Sequence, residues 1–159
     1  MSQQLLDLVL QKFEELSGPE VVVESKLNFN EPFLSINSDN WKIETAKMLL
    51  EDPKLRFDFL CCLTGVDYEE HMEVIYNFYS MELDQYLCIK VSMPRSNPKI
   101  MSLQPVWKTA DWHEREAYDL LGIEFIGHPN LTRILLEDDW VGYPLRKDYK
   151  FDKEEMGLS

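Results

Sequence analysis

The sequence predicts a two-layer α+β domain in the order helix-ββ-helix-βββ with a mixed sheet, then a long helix and an irregular, extended C-terminal tail. Three observations carry this. Apolar residues recur at helical spacing near the N-terminus and again over residues 103–121; short aromatic and β-branched runs lie between; residues 123–159 hold Gly127, Pro129, Gly142 and Pro144 with little periodicity. The expected division is a core of residues 1–122 and a tail of residues 123–159.

Leu5, Leu6, Val9, Phe13 and Leu16 make the stripe of a first helix, with Ser2 as a possible N-cap and Gly18 followed by Pro19 as its stop. VVVESKL (21–27) and PFLSIN (32–37) read as a hairpin joined by NFNE. Ser38, Asp39 or Asn40 can cap a second helix carrying Trp41, Ala46, Leu49 and Leu50, which must end before Pro53. FDFLCCLTGV (57–66), MEVIYNFYSM (72–81) and QYLCIKVSM (85–93) have strand character, and in the second of them Val74, Tyr76 and Phe78 alternate with a partly apolar opposite face.

In the next stretch Leu103, Val106, Trp107, Ala110, Glu114, Ala117 and Leu121 share a narrow arc at ~100° per residue. The helix either runs continuously or restarts at Asp111, which has capping-box spacing to Glu114, and Gly122 ends it. Arg115, Glu116 and Asp119 fall on the opposite side, with Arg115 and Asp119 at ion-pair spacing. A lone carboxylate inside an apolar stripe is costly to bury, so Glu114 is expected to meet a cation or several donors, with Arg133 and Arg146 the best candidates.

Composition narrows the function. Sixteen basic against 29 acidic residues leave a net charge of -13, which disfavours nucleic acid and favours a protein partner. No apolar run reaches the ~20 residues of a membrane span, and no signal-peptide core or Arg-rich leader is evident, so a soluble chain is expected. Basic residues gather at Arg146, Lys147 and Lys150 around Asp148, either a docking feature or a solvated turn. Cys61, Cys62 and Cys88 are expected as buried, reduced thiols; with no C-x-x-C pair, cysteine encodes neither a zinc ribbon nor an iron–sulfur cluster.

Chemical readings of residues 110–125 mostly fail. Ala117 stands where a zincin needs its second histidine after His113 and Glu114. Glu114 and Asp119 lie on nearly opposite helix faces and cannot share a substrate. There is no G-x-S-x-G elbow and no nucleotide-binding glycine loop. A free-standing hydrolase using His113, Glu114 and His128 is the competing class.

Three stretches carry a resemblance: E-R-E-x-x-D at Glu114–Asp119, G-H-P-x-L-x-R-I-L at Gly127–Leu135, and D-W-x-G-x-P-L-R-K-D-Y at Asp139–Tyr149. Their order resembles the NuoC-like, or thirty-kilodalton, subunit family of respiratory complex I, the NADH-quinone oxidoreductase. The resemblance implies an accessory subunit of the hydrophilic arm of a proton-translocating NADH:quinone oxidoreductase, peripheral on the cytoplasmic side of the inner membrane. It implies no cofactor in this chain, FMN, iron–sulfur clusters and quinone belonging to partner subunits. The implied partners are the quinone-site, NuoD-like subunit and neighbouring iron–sulfur subunits, and the membrane is reached only through the complex. The same fold serves in membrane-bound hydrogenases and in ferredoxin- or coenzyme-F420-linked dehydrogenases. The motif residues Glu114, Arg115, Glu116, Asp119, His128, Pro129, Arg133, Asp139, Trp140, Arg146, Lys147, Asp148 and Tyr149 are then the expected docking set. From Asp138 onward the tail is expected to order along a partner, since Trp140, Tyr143, Arg146 and Tyr149 are interface-favoured residue types.

Overall fold

A computed structural model describes residues 2–151. The N-terminal stripe forms α1 (Ser2–Ser17), which buries Leu5, Leu6, Val9 and Phe13. The hairpin forms β1 (Val22–Asn28) and β2 (Glu31–Asn37). A short 3-10 turn at Ser38–Asn40 takes the place expected for a helix cap, and α2 (Ile43–Glu51) begins after it. Three strands follow: β3 (Phe59–Asp67), β4 (His71–Ser80) and β5 (Gln85–Pro94).

The five strands form one mixed sheet in the order β1-β2-β5-β4-β3, all pairs antiparallel except β2 with β5. Register puts Leu34, Ile36, Ile89, Val91, Val74, Tyr76 and Leu63 on one face, where they join α1, α2 and the later helix in a single apolar core. Along β4 the alternate residues Glu73, Ile75, Asn77 and Tyr79 stay half-exposed on the other face. The thiols differ from expectation. A β-bulge between Leu60 and Cys62 lets Leu60 and Leu63 both face inward, turns Cys61 out to solvent and leaves Cys62 half-exposed; Cys88 is half-exposed too, and all three are free.

The stripe of residues 103–121 is interrupted. After β6 (Lys99–Met101) the chain makes a turn in which the Trp107 N–H donates to the Leu103 carbonyl at 2.9 Å, and α3 (Ala110–Leu121) starts anew. Thr109 stands at the N-cap without a side-chain bond, so the capping box expected at Asp111 does not form. Instead the Trp107 indole donates to the Phe57 carbonyl at 2.9 Å and anchors the turn in the core. β7 (Glu124–Ile126) then pairs with β6 in parallel, a pairing that requires a crossover such as α3. Ile123 and Phe125 are buried, so the core extends past the expected boundary at residue 122.

Two glycines set how α3 sits. A Cβ on Gly65 of β3 would lie 2.6 Å from Leu121 and 2.9 Å from Ile123, so the bare backbone lets the end of α3 close on the sheet. Gly122 takes φ +74°, the left-handed C-cap conformation, and a Cβ there would stand 2.6 Å from the Tyr143 ring. Gly122→Ala is therefore expected to destabilise by about 1–2 kcal/mol from the backbone alone, with the ring contact added. Chemical unfolding measures it; an unchanged midpoint would show that the cap is not needed.

Candidate functional site

Turning from Glu114 to Asp119 on α3 separates two buried carboxylates with different surroundings. Helical spacing places Asp119 on the solvated side beside Arg115; the fold instead covers it with the tail. Its Oδ1 accepts from Arg133 Nη1 at 2.7 Å, and its Oδ2 accepts the backbone N–H groups of Ile134, Leu135 and Leu136 at 3.1, 2.7 and 2.9 Å. Burial alone would raise the Asp119 pKa, but the Leu136 N–H, the Arg133 guanidinium and the Leu135 and Ile134 N–H groups together hold it below the usual carboxylate range.

Arg133 continues the anchor. Its Nη2 donates to the carbonyls of Trp140 and Gly142 at 3.0 and 3.1 Å, and its guanidinium carbon lies 5.4 Å from the centre of the Tyr143 ring. Arg115, free of Asp119, donates to the carbonyls of Thr132 and Arg133 at 3.1 and 2.9 Å. The Leu145 N–H reaches the Leu120 carbonyl at 3.0 Å. A second anchoring carboxylate, Asp67 at the end of β3, is absent from the expected set: it accepts from Arg95 at 2.8 and 2.9 Å and from the Lys147 N–H at 2.9 Å. Arg95 holds the Asp67 pKa well below the usual range against the effect of burial, helped by the N–H groups of Lys147 and Glu69. No periodicity could have revealed this, because Lys147 lies 80 residues from Asp67.

Glu114 does not meet Arg133 or Arg146. Its Oε2 accepts from the Ser102 hydroxyl and its Oε1 from the Leu103 N–H, both at 2.6 Å. Among the described residues the nearest basic nitrogen is His128 Nε2, 3.9 Å away, itself 3.2 Å from Asp111 Oδ1. Burial pushes the Glu114 pKa up to about 7, against the pull of the Ser102 and Leu103 bonds. The hydrolase reading finds no site: Glu114 and the His128 side chain are enclosed, and among the described residues no hydrogen bond joins His113 to either. Among those residues no group of three or more His, Cys, Asp or Glu could hold a metal.

The remaining expected residues lie outward. Glu116, Pro129, Asp139, Lys147 and Asp148 are exposed, Arg146 pairs with Asp148 at 3.0 Å, and the Tyr149 hydroxyl donates to the Val141 carbonyl at 3.2 Å. Trp140 is half-buried, with its indole N–H facing no acceptor.

The sequence profile of the family described as "Respiratory-chain NADH dehydrogenase, 30 Kd subunit" matches residues 34–155. The chain belongs to this family. It is 48% identical over 130 residues to the C subunit of the NADH-quinone oxidoreductase of Chloroherpeton thalassium, an alignment covering 80% of this chain and 54% of that protein. It is 40% identical over 156 residues to the corresponding protein of Chlorobium phaeobacteroides, covering 96% and 90%. The chain thus spans about half the length of the first relative and nine-tenths of the second. The solved trypsin-resistant fragment of Nqo5 superposes with a TM-score of 0.62 at 25% identity, over 77% of this chain and 99% of that one. A chain of a membrane-bound sulfane sulfur reductase, an archaeal respiratory membrane complex, gives 0.72 at 19% identity over 95% and 91%, a likeness of fold alone.

This member of the thirty-kilodalton subunit family leaves large apolar side chains exposed both on α3 and along the anchored tail. Trp112 is 70% exposed, Leu145 61% and Val141 85%. A groove between α3 and the tail is lined by Trp112, His113, Glu116, Ile134 and Leu135. No helix among the described residues is long and apolar enough to cross a membrane.

The two anchoring carboxylates give an acid limb to stability. Both folded pKa values lie below the unfolded value, so each contribution is present above ~3.9 and lost as pH falls through the lowered folded value. Thermal unfolding from pH 6 down to pH 2 should show the melting temperature dropping below about pH 4, more gently in Asp119→Asn. An equal drop in both proteins would mean Asp119 is not a source of the limb.

Proposed function

We propose that this chain serves as the NuoC-type component of a proton-translocating NADH:quinone oxidoreductase, a cofactor-free part of the hydrophilic arm on the cytoplasmic side of the membrane. In this role it packs against the quinone-site subunit and neighbouring iron–sulfur subunits, which carry the electron transfer. The supporting observation is the division of labour between α3 and the tail. Arg133 and the backbone of residues 134–136 are used up on Asp119, while Trp112, Val141 and Leu145 are left facing out. Large apolar side chains left facing out beside a buried anchor suit a protein interface.

Affinity capture of the tagged chain from its own cells tests the reading. The expected result is a large membrane complex with NADH:quinone activity, and a purified chain with no visible absorption or paramagnetic signal. A redox signal intrinsic to the chain, or its recovery free of any complex, overturns the proposal. A related membrane-bound complex is the second reading, favoured by the likeness in fold to the sulfane sulfur reductase chain. Capture of a complex that takes electrons from ferredoxin, not NADH, would select it.

A further inference from the structure

We propose that Glu114, His128 and Asp111 form a proton-operated latch between the first turns of α3 and the root of the tail, closed while the cluster holds one extra proton and loosened when that proton leaves. The geometry fixes where protons sit. His128 Nδ1 accepts the Asn130 N–H at 3.0 Å, so that nitrogen is bare and the neutral ring carries its proton on Nε2. Nε2 faces the Asp111 carbonyl at 3.3 Å, Asp111 Oδ1 at 3.2 Å and Glu114 Oε2 at 3.9 Å. That one N–H is bonded to the Asp111 carbonyl, with the carboxylates of Asp111 and Glu114 standing close beside it.

The groups around Glu114 come from every element packed on it. Asp111 of its own helix repels its charge; the Ser102 hydroxyl and the Leu103 and Gln104 N–H groups support it; the buried Tyr76 of β4 feels its charge; His128 comes from the loop after β7. Among the described residues no Lys or Arg nitrogen lies within 4.0 Å of its carboxyl oxygens. Uncharged, Glu114 can donate its own O–H to Ser102 Oγ and leave the imidazole to Asp111. Charged, it and Asp111 crowd the same nitrogen of a neutral ring, Glu114 itself cut off from water, and the repulsion is relieved by moving the loop.

That loop links the cluster to the tail. Gly127, at φ +84°, has nothing within 4 Å of its Cβ position, and the chain runs from it through His128 to Thr132 and Arg133, whose carbonyls Arg115 holds. The proton exchanges with water on the side of Asp111, whose side chain is 36% exposed; no other covalent bond forms or breaks.

The sign is set by burial. Glu114 has a folded pKa of about 7 against an ordinary 4.5, so its contribution is fully present below pH 4.5 and is lost as pH rises to 7. The test is carbon-13 NMR of the full chain with labelled Glu and His, titrated from pH 4 to 9. The expected result is a Glu114 carboxyl midpoint near 7, with the His128 ring and the amides of residues 127–133 shifting at that midpoint while those of β4 and β5 distant from Tyr76 stay still. Asp111→Asn should lower the midpoint. Glu114→Gln, which mimics the protonated form, should make the melting temperature less sensitive to pH between 5 and 8. A Glu114 midpoint in the ordinary carboxylate range, or a midpoint near 7 that leaves residues 127–133 unmoved, overturns the latch. Neither result depends on the partner that the tail meets, so the latch and the assignment to the respiratory complex fail separately.

Discussion

Asp119→Ala is expected to free the tail from the core and to destabilise the chain by about 3–5 kcal/mol, as removal of one partner of a buried ion pair does. The reason lies in how many groups depend on this carboxylate. Without it the Arg133 guanidinium keeps its carbonyl contacts to Trp140 and Gly142 but loses its counter-charge, and the N–H groups of Ile134, Leu135 and Leu136 lose their acceptor. Glu116→Ala, three residues away on the exposed face, should change stability by only ~0–1 kcal/mol. Hydrogen exchange adds a spatial readout, with protection lost first at residues 133–136 and then at Leu145, whose N–H depends on the tail lying along Leu120. If the two variants unfold alike, the anchor is not where the stability resides.

The second large effect concerns assembly. Ending the chain before Asp138 keeps the Asp119 anchor at residues 133–136 but removes the acceptor carbonyls of Trp140 and Gly142, the Leu145 bond to Leu120 and the Lys147 bond to Asp67. Among the described residues no fully buried apolar residue of the core lies beyond Phe125. Each lost bond contributes about 0.5–1.5 kcal/mol at most, and water can replace much of it at these partly exposed groups. The melting temperature should therefore fall by several degrees, at about 2–4 °C for each kcal/mol, with no loss of cooperative folding. Incorporation into the complex, by contrast, should be lost, because Val141, Leu145 and the basic turn at Arg146 and Lys147 go with the segment. Normal incorporation of the truncated chain would remove the tail from the docking surface and leave it as part of the fold alone.

Much of the architecture was legible in residue order because helices and strands announce themselves locally. The stripe of Leu5, Leu6, Val9 and Phe13, the alternation of Val74, Tyr76 and Phe78, and the stop at Gly122 each depend on neighbours within a few positions, and each appears in the fold as read. The three C-terminal motifs were legible as a pattern too, and the family that they pointed to is the one to which the chain belongs.

Only the tertiary structure decided which charge meets which. Helical spacing places Asp119 opposite Glu114, but whether that opposite side faces water or the tail depends on the path of the chain after β7. That path gave Asp119 the arginine expected for Glu114 and brought His128 beside Glu114, whose other partners, the Ser102 hydroxyl and the Leu103 amide, come from the segment after β6. The bulge at Cys61 and the pairing of β6 with β7 were hidden for the same reason, and the choice between a continuous helix and one restarting near Asp111 was left open. Periodicity reports how one segment faces a core, while a buried carboxylate is satisfied by whatever donors the rest of the chain brings within about 3 Å, and those came from 14 and 80 residues away.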